Sequence, residues 1–292
     1  MRRAPARRRP PYHRPMTPST PLRSTTRGDV PPEGPLRLGG IDLPAGLHVR
    51  PADDLAAPGA PPCAWVTDGA VEVDLVEQWV RHLASRFKDT GLWPIAVTGW
   101  DNDLERPWRS GEVLGPDEGS DFDVEAFLLS PGEPEDDEDP DIAAYLESIA
   151  PIATVRELGG PVAAPPAGPQ DFLVPWRDAE PVALALIPAL SPADALTTLG
   201  WIGPANYDLA GAAIARIAVS WQERYHLTPV GIDFDQLMLQ MPPRGLSRPE
   251  VMSLLAEVYR VCPDSYEQSG FPDLAAFVRA VESHPVLGLW WD

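Results

Sequence analysis

The chain reads as an α+β protein, with short mixed or antiparallel sheets packed with amphipathic helices behind a disordered N-terminal tail. Three observations carry that reading. Apolar segments of strand length alternate with segments whose apolar residues recur at helical spacing. Proline supplies 37 of the 292 residues, which favours short elements and long irregular connections. Hydrophobic residues make up 44%, ten tryptophans among them, enough to bury a core in one large domain or two small ones.

Residues 1–40 are rich in Arg, Pro, Ser and Thr without apolar periodicity, the signature of a disordered tail. Met16 within it offers a second initiation point. An N-terminal α+β region, residues 41–150, follows. "GLHVR" and "CAWVTDG" read as strands. "VDLVEQWVRHLASRFKDTG" is a helix, because Val76, Trp79, Val80, Leu83 and Phe87 share one face and Gly91 stops it. "LWPIAVTGW" is a strand, and "VEAFLL" reads as another. Acidic loops fill the rest of the region. Residues 151–178, with six prolines, suit a linker or a draped surface segment.

The C-terminal α+β domain, residues 179–292, is better patterned. "PVALALIPAL" is an apolar strand. "SPADALTTLG" is a helix with Ser191 as N-cap, Pro192 at its first position and Gly200 as its stop. From about Leu209 to Tyr225 a helix aligns Ala210, Ile214, Ile217, Trp221 and Tyr225. "VGIDFDQLMLQM" reads as strand, tight turn or bulge, strand. Ser247 and Glu250 stand in capping-box spacing at the head of the next helix. "PDLAAFVRAV" is the last helix, and "LGLWWD" an edge or terminal strand.

Charge excludes several roles. Residues 1–28 hold eight arginines and no acid, so the remainder carries 15 basic against 43 acidic residues, a balance of −28. Such a body repels phosphate backbones, so nucleic acid is not an expected partner for it. The basic tail is read as inert, with contact to nucleic acid or to the acidic body as the alternatives. No apolar run approaches the roughly 18 residues of a membrane helix. Two cysteines, Cys63 and Cys262, cannot build a disulfide framework, and a reducing cytoplasm is the expected compartment.

The chemistry-bearing stretches are few. "YRVCPDSYEQSG" invites a thiol nucleophile, Cys262, helped by Asp264. Yet Cys262 continues the stripe Val251, Leu254, Leu255, Val258 on its helix, where a thiol acts as a small apolar residue and burial keeps it inert. A thiolate also needs a base, commonly histidine, and none stands nearby in sequence. "DNDLERPWRSGE" puts Asp101, Asp103, Glu105 and Glu112 at four ligand positions of a calcium loop, but Arg106 occupies the place that requires glycine. The run of seven acids from Glu133 to Asp141 reads as a solvated loop. Asp233 and Asp235, two apart in "GIDFDQL", share a strand face on this reading and could hold a divalent metal or share a proton. Aspartates flanking a turn explain them more simply. "GWIGPANYDLAG" offers Trp201, Asn206, Tyr207 and Asp208 as capping and stacking groups and lacks the glycine spacing of a phosphate loop. No cofactor is expected.

"LGWIGPANY", "SWQERY", "VGIDFDQLMLQMPP", "CPDSYEQSG" and "LWWD" together resemble a bacterial, mainly actinobacterial family, domain of unknown function 4253. The likeness is strongest over about 196–292. "CAWVTDG", "GLWPIAVTGWD" and "RPW" look similar to the segment that often precedes that domain. The resemblance carries over onto Trp201, Asn206, Trp221, Glu223, Phe234, Asp235, Pro242, Cys262, Pro263, Asp264, Trp290, Trp291 and Asp292. Members often carry a histidine four residues before the cysteine, where this chain has Val258. The resemblance implies a motif order and no reaction.

Taken together these features describe a protein that works by binding another protein, one of basic character, as an immunity or accessory factor does. The binding residues it would use are Trp201, Asn206, Tyr207, Trp221, Asp235 and Trp291. The alternative is a hydrolase, using Cys262 with Asp264 or a metal on Asp233 and Asp235. A third reading has the proline-rich front docking the protein within a larger assembly.

Overall fold

In the computed structural model the described residues are 22–55, 57–116, 121–130, 160–176, 182–268 and 270–291. The apolar run Ala183–Pro188 is a strand buried at every residue. Side chains alternate between the faces of a strand, so both of its faces are covered. Ala64–Thr67, Leu92–Val97 and Thr228–Ile232 are likewise buried throughout. Gly34–Leu38 and Val286–Trp290 alternate between more and less exposed residues, as edge strands do. With Ile41–Val49 and Gln236–Gln240 these make eight strands, β1 to β8 in chain order.

All eight lie in one sheet, in the order β1-β2-β3-β5-β4-β6-β7-β8. The α+β class holds, and a single mixed sheet runs through both halves of the chain. Neighbours are antiparallel except β4 and β6, which run parallel and pair at Ala96–Gly231 and Val97–Ile232. Pro94 has no N–H to give a neighbour, and β6 joins β4 only beyond it. The gap is bridged by a side chain: Trp93 donates from Nε1 to the Pro229 carbonyl at 3.0 Å.

Helices cover the sheet. The expected stripe of α1 (Val73–Ala84) buries Val76, Val80 and Leu83, and Phe87 sits in a separate short helix, α2 (Phe87–Thr90). Phe87, Trp93 and Phe172 meet edge to face, 5.3 and 5.6 Å between ring centres. Gly91 closes α2 at φ 64°, and a Cβ there would collide with backbone of Thr26 and Gly28. "VEAFLL" is a helix, α3 (Val124–Leu129), and not a strand. Asp123 caps it by accepting from the Ala126 N–H at 3.0 Å, a start signal that outweighs six apolar-rich residues of ambiguous period.

In the second half, α4 (Asp194–Leu199) starts later than Ser191 suggests, with the Ser191 hydroxyl accepting from the Asp194 N–H at 3.3 Å. Gly200 ends it in the left-handed region as expected. The long helices are α5 (Ala212–Tyr225) and α6 (Arg248–Val261). The capping box of α6 is present, with the Ser247 N–H donating to Glu250 at 2.6 Å. The short α7 (Asp264–Glu267) and the final α8 (Leu274–Ser283) lead into β8.

Two segments expected to be irregular are tied to this core. Residues 34–38 form β1, although they fall inside the range assigned to the tail. Just before them, Arg27 makes a two-pronged bond to Asp194, at 3.0 and 2.8 Å, and the Gly28 N–H reaches the Gly91 carbonyl at 2.9 Å. Residues 160–176, within the proline-rich stretch, bury Ala167, Phe172 and Val174. Glu77 on α1 accepts from the Val174 N–H, and Arg81 donates to the Phe172 carbonyl. Prolines and scattered apolar residues hide this packing, because nothing in the segment repeats. Residues 1–21, the acidic run 133–141 and the remainder of the stretch up to 159 lie outside the described residues.

Candidate functional site

The parallel pair β4 and β6 ends at Val97 and Ile232, and the loops that leave those two strands meet beyond the sheet. The Thr98 N–H continues the pairing to the Ile232 carbonyl at 3.2 Å. The first loop then turns sharply. At Gly99 a Cβ would run into the carbonyl oxygens of Asp103 and Arg106, so only glycine lets the loop close on itself. Asp101 holds φ 53°, a conformation that aspartate tolerates better than most residues. The Arg106–Pro107 peptide is cis. Trp108 is buried and donates from Nε1 to the Thr98 carbonyl at 2.5 Å, pinning the loop across its base.

That loop presents Arg106. Its guanidinium binds Glu112 in two-pronged fashion, 2.6 and 2.7 Å, which holds the arginine above and the glutamate below their ordinary pKa values. Of the four acids at calcium-loop spacing, Glu112 is therefore committed to arginine.

The second loop is the β6–β7 turn, and it carries Asp233, Phe234 and Asp235. These aspartates do not share a strand face, because both precede Gln236, where β7 begins. Asp233 is buried, and its Oδ1 accepts from the Phe234 N–H at 2.6 Å. Burial pushes this carboxyl up to about 6, with Asp235 adding repulsion and the Phe234 N–H partly opposing both. Asp235 binds the Trp290 indole at 3.2 Å through Oδ2, and its carbonyl accepts from the Trp291 N–H at 3.1 Å. Among the described residues no three Asp, Glu, His or Cys side chains are grouped to hold a metal ion.

Phe234 and Trp100 meet edge to face at 5.0 Å, and the Arg106 guanidinium lies 4.5 Å from the Phe234 ring centre and 5.7 Å from that of Trp100. Trp100 is 45% exposed. The result is an outward-facing platform of two aromatic rings and a cation, braced by buried tryptophans behind it. Trp201 donates to the Asp233 carbonyl at 2.9 Å and packs on Trp291 at 5.5 Å. Trp201 and Trp291 are fully buried, and Trp291 donates to the Val261 carbonyl at 2.9 Å. They build the platform's support rather than its face.

The other candidates fall elsewhere. Trp221 is buried and donates to Glu257 at 2.8 Å. Asn206 is exposed. The Tyr207 hydroxyl donates to Asp264 at 2.7 Å, and burial together with that carboxylate raises its pKa. Asp264, itself buried, also accepts from Gln268 at 3.1 Å. Cys262 is fully buried at the end of α6. Its thiol lies 3.0 Å from the Trp290 carbonyl and 2.9 Å from the Ser265 hydroxyl. Burial pushes it up to about 12, so it stays protonated at neutral pH.

The residues that sequence reasoning passed over are Trp100 and Arg106. Both stand in stretches, "TGWD" and "RPW", that were legible as motifs, but only the fold brings them to Phe234. No curated protein and no solved structure matches the chain. Over residues 183–292, which run from β5 through β8 and contribute Phe234 but not Trp100 or Arg106, the chain matches the model of the family described as Domain of unknown function (DUF4253).

Proposed function

We propose that the protein is a non-catalytic binding module that engages another protein through the Trp100–Arg106–Phe234 platform. The observation that carries this reading is the exposure of Trp100 on a rigid, cross-braced loop. Tryptophan and arginine dominate the energetics of protein interfaces when they stand on a pre-ordered surface, since little freedom is lost on docking. The acidic surroundings suit a partner of basic character, as an immunity or accessory factor would meet. Opposite charge chiefly accelerates such an encounter. The thiol alternative finds no matching support, because Cys262 is bonded inside the core and protonated.

The test is affinity capture from the native host with the full chain as bait. The wild type and a control changed toward the other end of the sheet, Asp42→Ala on β2, are expected to retain the same stoichiometric partner. The double variant Trp100→Ala/Phe234→Ala should lose at least ten-fold of it. Association should slow with added salt while dissociation changes little. Equal recovery by all three baits, or no stoichiometric partner on any, would sink the proposal.

A further inference from the structure

We infer that the free edge of β8 is a docking strip for an extended segment of a second, basic protein, which pairs with Val286–Gly288 and places an apolar side chain in the recess beside it. This surface is separate from the platform. Among the described residues β8 ends the sheet and pairs only with β7. Which of its backbone groups face outward follows from the bonds at either end. The Trp291 N–H reaches the Asp235 carbonyl and the Met241 N–H reaches the Pro285 carbonyl, so residues 285, 287, 289 and 291 turn their backbone groups toward β7. An antiparallel ladder alternates. The N–H and C=O of Val286, Gly288 and Trp290 therefore point away from the sheet.

At Trp290 the protein closes the edge itself. Its N–H donates to the Ser265 hydroxyl at 3.2 Å, and its carbonyl receives the Cys262 thiol. The cysteine–serine pair thus imitates a neighbouring strand for one residue. At Gly288 no described residue does so, and Gly288 is exposed. Donors and acceptors at two-residue spacing on an open edge match the spacing of another strand.

Beside this edge lies a recess of about 270 Å³ lined by Ser265, Phe271, Phe277, Val281, His284 and Gly288. Phe271, 37% exposed, packs against Phe277 with 5.3 Å between ring centres and lines the recess. Peptide-binding edges gain affinity from the main chain and selectivity from such alternate side-chain pockets. Charge selects the occupant. A second copy would bring an equally acidic body, of charge −28 beyond the arginine-rich start, edge to edge against the first. A basic segment meets no such repulsion.

The experiment pans random heptapeptides displayed on phage against the full chain, then measures enriched sequences as synthetic peptides. The expected sequences alternate apolar residues and carry lysine or arginine. Methylating the peptide amide that faces the Gly288 carbonyl should weaken binding at least ten-fold and leave the protein untouched. Ala280→Trp, which plugs the recess from α8, should do the same with an unchanged melting point. Exchange of the Gly288 amide proton should slow at least ten-fold when peptide binds. Failure to enrich any peptide, indifference to amide methylation, or a Gly288-dependent dimer of the chain alone would overturn the inference.

Discussion

Two arginine–glutamate pairs in aromatic company sit in this molecule, one sealed and one open. Arg224 and Glu257 are 12% and 3% exposed, and both glutamate oxygens are taken twice: Oε1 by Arg224 at 2.6 Å and Tyr225 at 2.8 Å, Oε2 by Arg224 at 2.5 Å and Trp221 at 2.8 Å. Arg106 and Glu112 are 46% and 22% exposed, and the two rings beside them belong to a surface platform. Burial works against the Arg224 charge, yet Glu257 more than offsets it and holds the guanidinium above its ordinary pKa. The same chemistry lies within the packing in one place and on the surface in the other. Location decides, because a charge with no water around it depends wholly on its partner, whereas an exposed one does not.

The largest expected consequence follows from the sealed pair. Glu257→Ala takes the carboxylate from a largely buried guanidinium, an indole N–H and a phenol hydroxyl together. Breaking a buried pair from one side costs about 3–5 kcal/mol, and a urea titration of the full chain should show a loss of that order. A loss under about 1 kcal/mol would mean that water or a shifted side chain replaces the carboxylate, and the sealed character of the pair would be wrong.

What sequence could show of these two pairs is instructive. Helical spacing put Trp221 and Tyr225 on one face of α5, and the capping box fixed the start of α6, so both helices of the sealed pair were legible. Glu257 was not, since a glutamate on a helix is ordinarily solvated and only the docking of α6 on Trp221 buries it. The open pair was less visible still. Arg106 looked like the residue that spoils a calcium loop, and its bond to Glu112 depends on a reversal that no local period encodes. Cys262 was readable as core because its helix supplied the neighbours; its bond to Trp290 was not, because β8 arrives from 28 residues away. Periodicity reports what an element buries, and contacts between loops lie beyond it.

A second, smaller effect should appear beneath the open pair. Asp233 has a folded pKa of about 6 against an ordinary 3.8. The folded state therefore holds a proton that the unfolded chain releases, and the stability this carboxyl contributes is complete below pH 4 and lost as pH rises through about 6. A rise of that size corresponds to on the order of 3 kcal/mol. Glu112 and Glu250, whose pKa values are lowered from 4.5, act in the opposite sense, and both remain in a variant changed only at Asp233, so the difference between wild type and variant isolates Asp233. Asp233→Asn keeps an oxygen for the Phe234 N–H and removes the titration. Urea midpoints at pH 4.5 and 7 should fall with pH in the wild type by more than in the variant. Parallel curves would show that water reaches the carboxyl and that the turn is looser than its geometry implies.

The smallest expected change in stability is also the sharpest test of the comparison. Arg106→Ala removes an exposed ion pair worth about 0–1 kcal/mol and a cation–ring contact worth about 0.5–1 kcal/mol, so the stability loss should stay below about 2 kcal/mol and well short of that of Glu257→Ala. Glu112 is then left to water, which an exposed carboxylate tolerates. If the pair is there for display, partner capture should nonetheless fall at least ten-fold. Arg106→Lys divides that loss, since lysine keeps the charge but cannot grip Glu112 at two points or present a planar guanidinium to Phe234. Recovery by lysine would assign the interaction to charge alone, and no recovery would assign it to the guanidinium group itself. A stability loss comparable to that of Glu257→Ala, with capture lost only through unfolding, would make the two pairs alike and remove the distinction between packing and display.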